Sequence, residues 1–283
     1  MRIFNLLPLI ALSCAACSQG NEGAAASGPT EYATQTQAPT PDYKALMAEP
    51  RLGDGSWVRR DGSPPLPSNA MEIGQAWYDR LEARNALLGA GFGGKGPDGP
   101  VNMLDTGMTE AEFLAWVDDN DWTIPQHITF SFVPPMNLPA VSDAADGGIR
   151  IWPASTARTG AQNEALLSGR VELRDGCFYG SEGFGTPDKL AFFHGEIGLD
   201  IDDEGYYILR DRVSGHVRAR LGEDMHWGGP PSAYIDPELE KEIQEQCGPG
   251  EILVVGSPES RERFYAQYPH TRDPNVLPSP PSE

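Results

Sequence analysis

Apolar and polar positions change their period along this chain, and each change marks a predicted element. From Asn69, the apolar residues Ile73, Trp77, Leu81 and Leu88 fall on one stripe at helical spacing. Asn69 and Glu72 have the spacing of a capping box. Gly89 and the run GAGFGGKGPDGP end that helix in a glycine-rich connector. A second helix is predicted from Thr109. Glu112 completes its capping box, and Met108 and Phe113 are placed as a hydrophobic staple. Phe113, Trp116 and Val117 follow before the polar run DDND.

From His127 the period falls to two. Ile128, Phe130 and Phe132 alternate with Thr129 and Ser131, as in a half-buried strand. IRIW (149–152) reads as a short strand, and Asp175-Gly176 between two extended runs reads as a hairpin turn. LAFFH, IGLDIDDEGYYILRD, RVSGHVRARLG and MHW continue as short strands with turns near Glu204-Gly205 and Ser214-Gly215. Asp236-Pro237 opens a helix that buries Leu239, Ile243 and Cys247 and ends at Gly248. EILVVG is a further strand, and Ser257-Pro258 opens a last short helix carrying Phe264 and Tyr265. The predicted fold is α+β: an N-terminal helical segment packed on a small antiparallel β-barrel or sandwich, with C-terminal helices.

The first twenty residues, MRIFNLLPLIALSCAACSQG, join a positive charge at Arg2 to an apolar run from Ile3 to Leu12 and then to small residues and cysteine. This order resembles a bacterial lipoprotein export signal. The apolar run falls short of the ~20 residues that span a bilayer. Both Cys14 and Cys17 follow small residues. Cys17 is preferred for lipidation, because it leaves the fuller hydrophobic length and is followed by Ser-Gln-Gly. The resemblance implies acyl chains on Cys17, and Ser18 after it implies an outer-membrane anchor with the body facing the periplasm. The stretch 166–229 (LSGRVELRDGCFYG, GYYILRD, RLGEDMHWGG) is similar to small β modules of bacterial envelope proteins, which carry no catalytic residues across. The expected organisation is a leader at 1–16, then an anchor, flexible tether and irregular segment at 17–67. A single unit follows at 68–268, helical over 68–122 and β-rich over 127–268, and a Pro-rich tail closes the chain at 269–283.

The 283 residues carry 21 basic and 41 acidic side chains, a formal charge of −20. Such a body does not hold a nucleic-acid backbone, which needs Lys and Arg to displace counterions. It is also repelled by anionic headgroups, so the membrane is a partner through the acyl chains alone. With the leader removed, Cys177 and Cys247 are the cysteines left besides the anchor, and an oxidising compartment favours their pairing.

The chemistry on offer is sparse. GAGFGGKG falls short of a phosphate loop, with Gly96 where a hydroxyl belongs. Asp200, Asp202 and Glu204 alternate like calcium ligands, although the flanks read as strands and a solvated acidic hairpin turn is the favoured reading. The five histidines have no zinc spacing, and no nucleophile motif stands out, so no catalytic residue and no cofactor is assigned. Aromatic residues of the β region offer a face for a sugar or peptide. The composite expectation is a binding or interaction module for an envelope protein or glycan. The alternatives are a hydrolase with carboxylates at a barrel mouth and a weak calcium-dependent adhesion module.

Overall fold

The computed structural model describes residues 31–96, 99–159, 165–183, 185–229 and 233–272. In chain order the elements are α1 (Tyr43–Ala48), β1 (Val58–Arg60), α2 (Ala70–Ala83), β2 (Leu87–Gly96), β3 (Gly99–Thr106), α3 (Glu110–Asp119), β4 (Ile128–Phe132) and α4 (Asp143–Asp146). There follow β5 (Ala165–Arg174), β6 (Cys177–Gly180), β7 (Lys189–Phe193), β8 (Ile197–Ile201), β9 (Tyr207–Asp211), β10 (Val217–Arg220) and β11 (Asp224–Gly229). The chain ends in α5 (Pro237–Cys247), β12 (Ile252–Val255), β13 (Glu259–Ser260), α6 (Arg261–Gln267) and α7 (Pro269–Arg272).

These elements form a mixed α/β structure dominated by three open sheets, which corrects the expected barrel or sandwich with a helical N-terminal part. The strand orders are β1-β4-β3-β2, β10-β9-β8 and β12-β7-β6-β5-β11-β13, and none closes on itself. Two pairings are parallel: β3 with β4, joined through α3, and β7 with β12. Gly222 lies between β10 and β11, where the chain passes from one sheet to another. Its φ of +86° suits glycine, and a Cβ there would lie 2.7 Å from the backbone of Gln37. The chain turns at this point out of the three-stranded sheet, and β11 pairs with β5 in the six-stranded one.

The supposed N-terminal helical part is itself half sheet. Ile73, Trp77 and Leu81 do face inward, but α2 stops at Ala83 and Asn85 turns the chain with φ +54°. GAGFGGKG then runs as β2 against β3, so the glycine-rich stretch is a strand and not a connector. Glycine weakens a lone strand, and pairing with β3 supplies what its own side chains do not. Asn69 occupies the N-cap position without a side-chain cap bond. The capping box at Thr109 and Glu112 forms in full, and Phe113 and Met108 are both buried. Trp77, Phe113, Phe130 and Phe132 form this first core.

A second core lies between the six-stranded and three-stranded sheets. Val171, Leu173, Phe178 and Phe193 come from one, and Ile197, Leu199, Leu209 and Ala219 from the other. Asp175 (φ +49°) and Gly176 (φ +75°) make the β5–β6 hairpin turn where the sequence places it. The alternation of IRIW is core contact without strand pairing; Ala154, just beyond it, makes a single parallel bridge to Phe193. Asp236 caps α5 and Pro237 opens it, while α6 begins at Arg261, later than Ser257-Pro258 suggests.

The segment from Glu31 to Pro41 departs most from its reading as tether. Gln35 and Leu173 exchange backbone hydrogen bonds of 2.7 and 3.0 Å. The Gln35 amide donates to the carbonyls of Tyr207 and Leu221 and accepts from the Tyr207 amide at 2.8 Å. Arg220 donates to the Pro39 carbonyl. A polar segment that buries little apolar surface is held here by hydrogen bonds, a source of order that hydropathy does not register.

Candidate functional site

Cys17, the expected lipidation site, lies outside the described residues. Cys177 and Cys247 are bonded, with Cα atoms 5.7 Å apart, and tie β6 to the last turn of α5. Among the described residues no helix is long and apolar enough to cross a membrane.

The acidic hairpin does not gather its carboxylates on one centre. Asp200 pairs with Arg210 at 2.8 Å, and Asp202 and Glu204 both pair with Arg220, at 2.7 and 2.9 Å. The other Asp202 oxygen accepts the amides of Glu204 and Tyr206, each at 3.0 Å, so it shapes the turn. Guanidinium groups stand where the calcium reading put the ion. Among the described residues no three His, Cys, Asp or Glu side chains converge as ligands. Chelator at millimolar concentration is therefore expected to leave the melting temperature unchanged; a fall that calcium reverses would restore the metal reading.

The aromatic pairs of the β region cover two interiors. Phe193 belongs to the core between the sheets and Phe192 to a cluster beneath α5, and both are fully buried. Trp152 stacks on Phe193 at 4.8 Å, and Tyr206 lies under Arg220. Except for Trp152, one edge of which reaches a cleft, these rings are packing and form no open sugar platform.

A cleft of about 890 Å³ is the site the geometry builds. Its walls come from the α2–β2 turn (Arg84, Asn85), the β3–α3 turn (Gly107 to Thr109), the stretches around Met136 and from Trp152 to Arg158, and the approach to α5 at Tyr234. It is therefore lined from both cores, by loops held on ordered elements, the usual seat of binding residues. Three arginines line it: Arg84, Arg158 and Arg212. Arg84 is exposed and lies over the Trp116 ring. Arg158 donates to the Pro134 carbonyl and lies 3.8 Å from Glu196. Arg212 donates to the carbonyls of Leu138 and Gly195 at 3.0 and 2.7 Å. Burial lowers the pKa of Arg158 and of Arg212, and the Arg158 charge adds to the second shift; the charge of Glu196 opposes both.

One carboxylate, Glu112, lines the described cleft, and it accepts from the Thr109 amide and hydroxyl at 2.7 and 2.9 Å. Ser155 donates to the Tyr234 carbonyl, and no histidine is in the described lining. Because no sheet closes, there is no barrel mouth, and this cleft does not present the carboxylate pair the hydrolase alternative requires. Two of the scattered histidines are tied into the fold: His216 bonds the Glu49 carbonyl and His226 the Ser168 hydroxyl.

One buried pair had no signal in the sequence. The Tyr43 hydroxyl donates to Glu223, which also accepts the Arg220 amide at 2.9 Å. Burial raises the Glu223 pKa, against these hydrogen bonds, and burial with the nearby Glu223 charge raises that of Tyr43. A carboxyl with a higher pKa folded than unfolded contributes its full stability below the unfolded value, and that contribution is lost as pH rises through the folded value. Glu223→Gln cannot ionise. Its melting temperature is expected to gain on that of the parent as pH rises above the ordinary glutamate value of about 4.3. A gap that does not change with pH contradicts this.

Compared with protein-family models, with curated proteins and with solved structures, the chain matches none of them.

Proposed function

We propose that this chain is an exported, lipid-anchored binding module that holds a component of the envelope in the cleft between its two cores and performs no chemistry on it. The supporting observation is the lining itself. It combines arginines with apolar surface from Met108, Met136, Trp152 and Leu239, and its one described carboxylate is engaged in capping a helix. The leader supports the anchor at Cys17 and the periplasmic face of the outer membrane as the place of action. Acyl chains give the stable attachment that an acidic protein surface does not.

Two measurements test this reading. Radiolabelled palmitate is expected in the protein expressed in a Gram-negative host and absent from Cys17→Ser; label retained by that variant removes the assigned anchor. A photo-crosslinking amino acid at Thr156, an exposed residue of the cleft lining, is expected to give discrete adducts in cells, with none from the same group at Lys241 on α5. Adducts at both positions, or at neither, contradict the cleft as the binding surface.

A further inference from the structure

Outside the cleft, one hydroxyl is held against an imidazole. β5 and β11 run antiparallel in the six-stranded sheet, with Ser168 opposite His226. The Ser168 carbonyl accepts from the Gly183 amide at 2.7 Å, so the backbone of Ser168 points away from β11. The two residues are thus a non-hydrogen-bonded cross-strand pair, the kind that brings side chains closest. Ser168 Oγ lies 2.8 Å from His226 Nδ1, and both residues are half-buried. The Leu167 backbone also bonds the ring, and the Phe264 ring meets it edge-on at 5.9 Å. The charged groups around the imidazole are themselves paired. Asp224, two positions away on β11, meets Arg170 at 2.8 Å and Arg261 at 3.3 Å. Glu259, opposite His226 on β13, meets Arg263. Burial, and then the Arg261 charge, lower the His226 pKa against the pull of Leu167 and Asp224, so the ring is neutral at neutral pH.

We propose that Ser168 and His226 form a nucleophile–base pair that cleaves small neutral esters. A serine hydroxyl within hydrogen-bond reach of a base, itself oriented by a third group, is the arrangement that activates a weak nucleophile. In the tautomer protonated at Nε2, Nδ1 accepts from the hydroxyl and is placed to take its proton. Ser168 Oγ attacks the ester carbonyl carbon as its proton passes to Nδ1. The imidazolium returns that proton to the departing alkoxide oxygen, which leaves an acyl-serine and an alcohol. Water, deprotonated by the same nitrogen, then releases the acid and restores the serine. The surroundings set the substrate class. Leu166, 59% exposed, stands beside Ser168 on the same face of β5, opposite Gly228, which carries no side chain, so the pair borders an apolar margin. The third group is the Leu167 backbone and not a carboxylate, and Asp224 is engaged by two guanidinium groups. A developing imidazolium therefore lacks the buried anion that stabilises it in a full triad, which restricts the pair to esters with good leaving groups and excludes amides. Neither residue lines the cleft, and the pair stands whether or not the cleft binds a ligand.

Two reagents test the pair on the full chain: a fluorophosphonate, whose fluoride the serine oxygen displaces, and p-nitrophenyl butyrate. Peptide mapping by mass spectrometry is expected to find the phosphonyl group on Ser168. Ser168→Ala should remove that adduct and the release of p-nitrophenolate, while Ser257→Ala, on the connection between β12 and β13, should change neither. His226→Asn, with the near-ultraviolet circular dichroism of the parent, should slow both reactions about a hundredfold. In the parent, both rates should rise with pH and level off, with a midpoint below the ordinary imidazole value of 6.5. That profile decides the matter by itself should the asparagine variant fail to fold. Absence of an adduct on Ser168, an adduct that forms as fast in folded His226→Asn, or rates that climb with pH without levelling overturn the pair as a catalytic site.

Discussion

Replacing Trp77 by alanine is expected to remove about 4 kcal/mol of stability, the largest effect of any single substitution considered. Trp77 is 2% exposed and is the hub of an aromatic cluster. Its ring centroid lies 5.6 Å from Phe113, 5.8 Å from Trp122 and 5.5 Å from Phe130, and Arg80 lies over its face at 4.9 Å. The substitution removes a large transfer contribution. It also leaves a cavity whose walls belong to α2, α3 and β4, three elements held by the rest of the cluster and so poorly able to collapse. Urea denaturation followed by circular dichroism measures the loss. Trp77→Phe, which keeps a ring on the same face, should lose less than half as much. A loss below about 1 kcal/mol for the alanine variant would mean that the cluster does not organise this core.

Replacing Cys177 and Cys247 together by serine should cost about 4 kcal/mol, since the bond closes a chain separation of 70 residues. For a chain of this size that loss corresponds to a fall of about 10 °C in melting temperature. The closed loop contains β6 to β11 and α5, so the bond restrains the unfolded chain across the whole three-stranded sheet and half of the six-stranded one. Locally it also keeps α5 against β6, where Tyr179 donates to the Cys247 carbonyl at 3.1 Å. Reducing agent applied to the parent protein should reproduce the shift. A melt that is indifferent to both treatments would show that packing alone holds α5.

Short-range signals in the sequence carried well into the structure. The Thr109 capping box, the Asp175-Gly176 turn and the Asp236-Pro237 helix start each depend on residues within four positions of one another, and each forms where expected. What depends on distant partners was not legible. Nothing local in GAGFGGKG shows that β3 will pair with it, and no local pattern marks β7 as the parallel neighbour of β12. The exit of β11 at Gly222 turns on the backbone of Gln37, some 185 positions away. The cleft is hidden for the same reason. Arg84, Arg158 and Arg212 sit on separate connections, share no spacing and meet only after both cores have formed. Asp200, Asp202 and Glu204 show the converse: their spacing suggests a common ligand, and their arginine partners, drawn from β9 and β10, dissolve the suggestion.

Gln35 also bears on how the body responds to mechanical load. It grips Leu173 in the six-stranded sheet through its backbone, and Tyr207 and Leu221 through its side chain. Among the described residues, traction arriving from the amino-terminal side therefore reaches the seam between two sheets before it reaches α1. Several hydrogen bonds would then have to yield nearly together, and not one after another, as they do when a terminal helix unravels. A chain moored at that end would hold its folded body against fluctuations of the surface to which it is fixed.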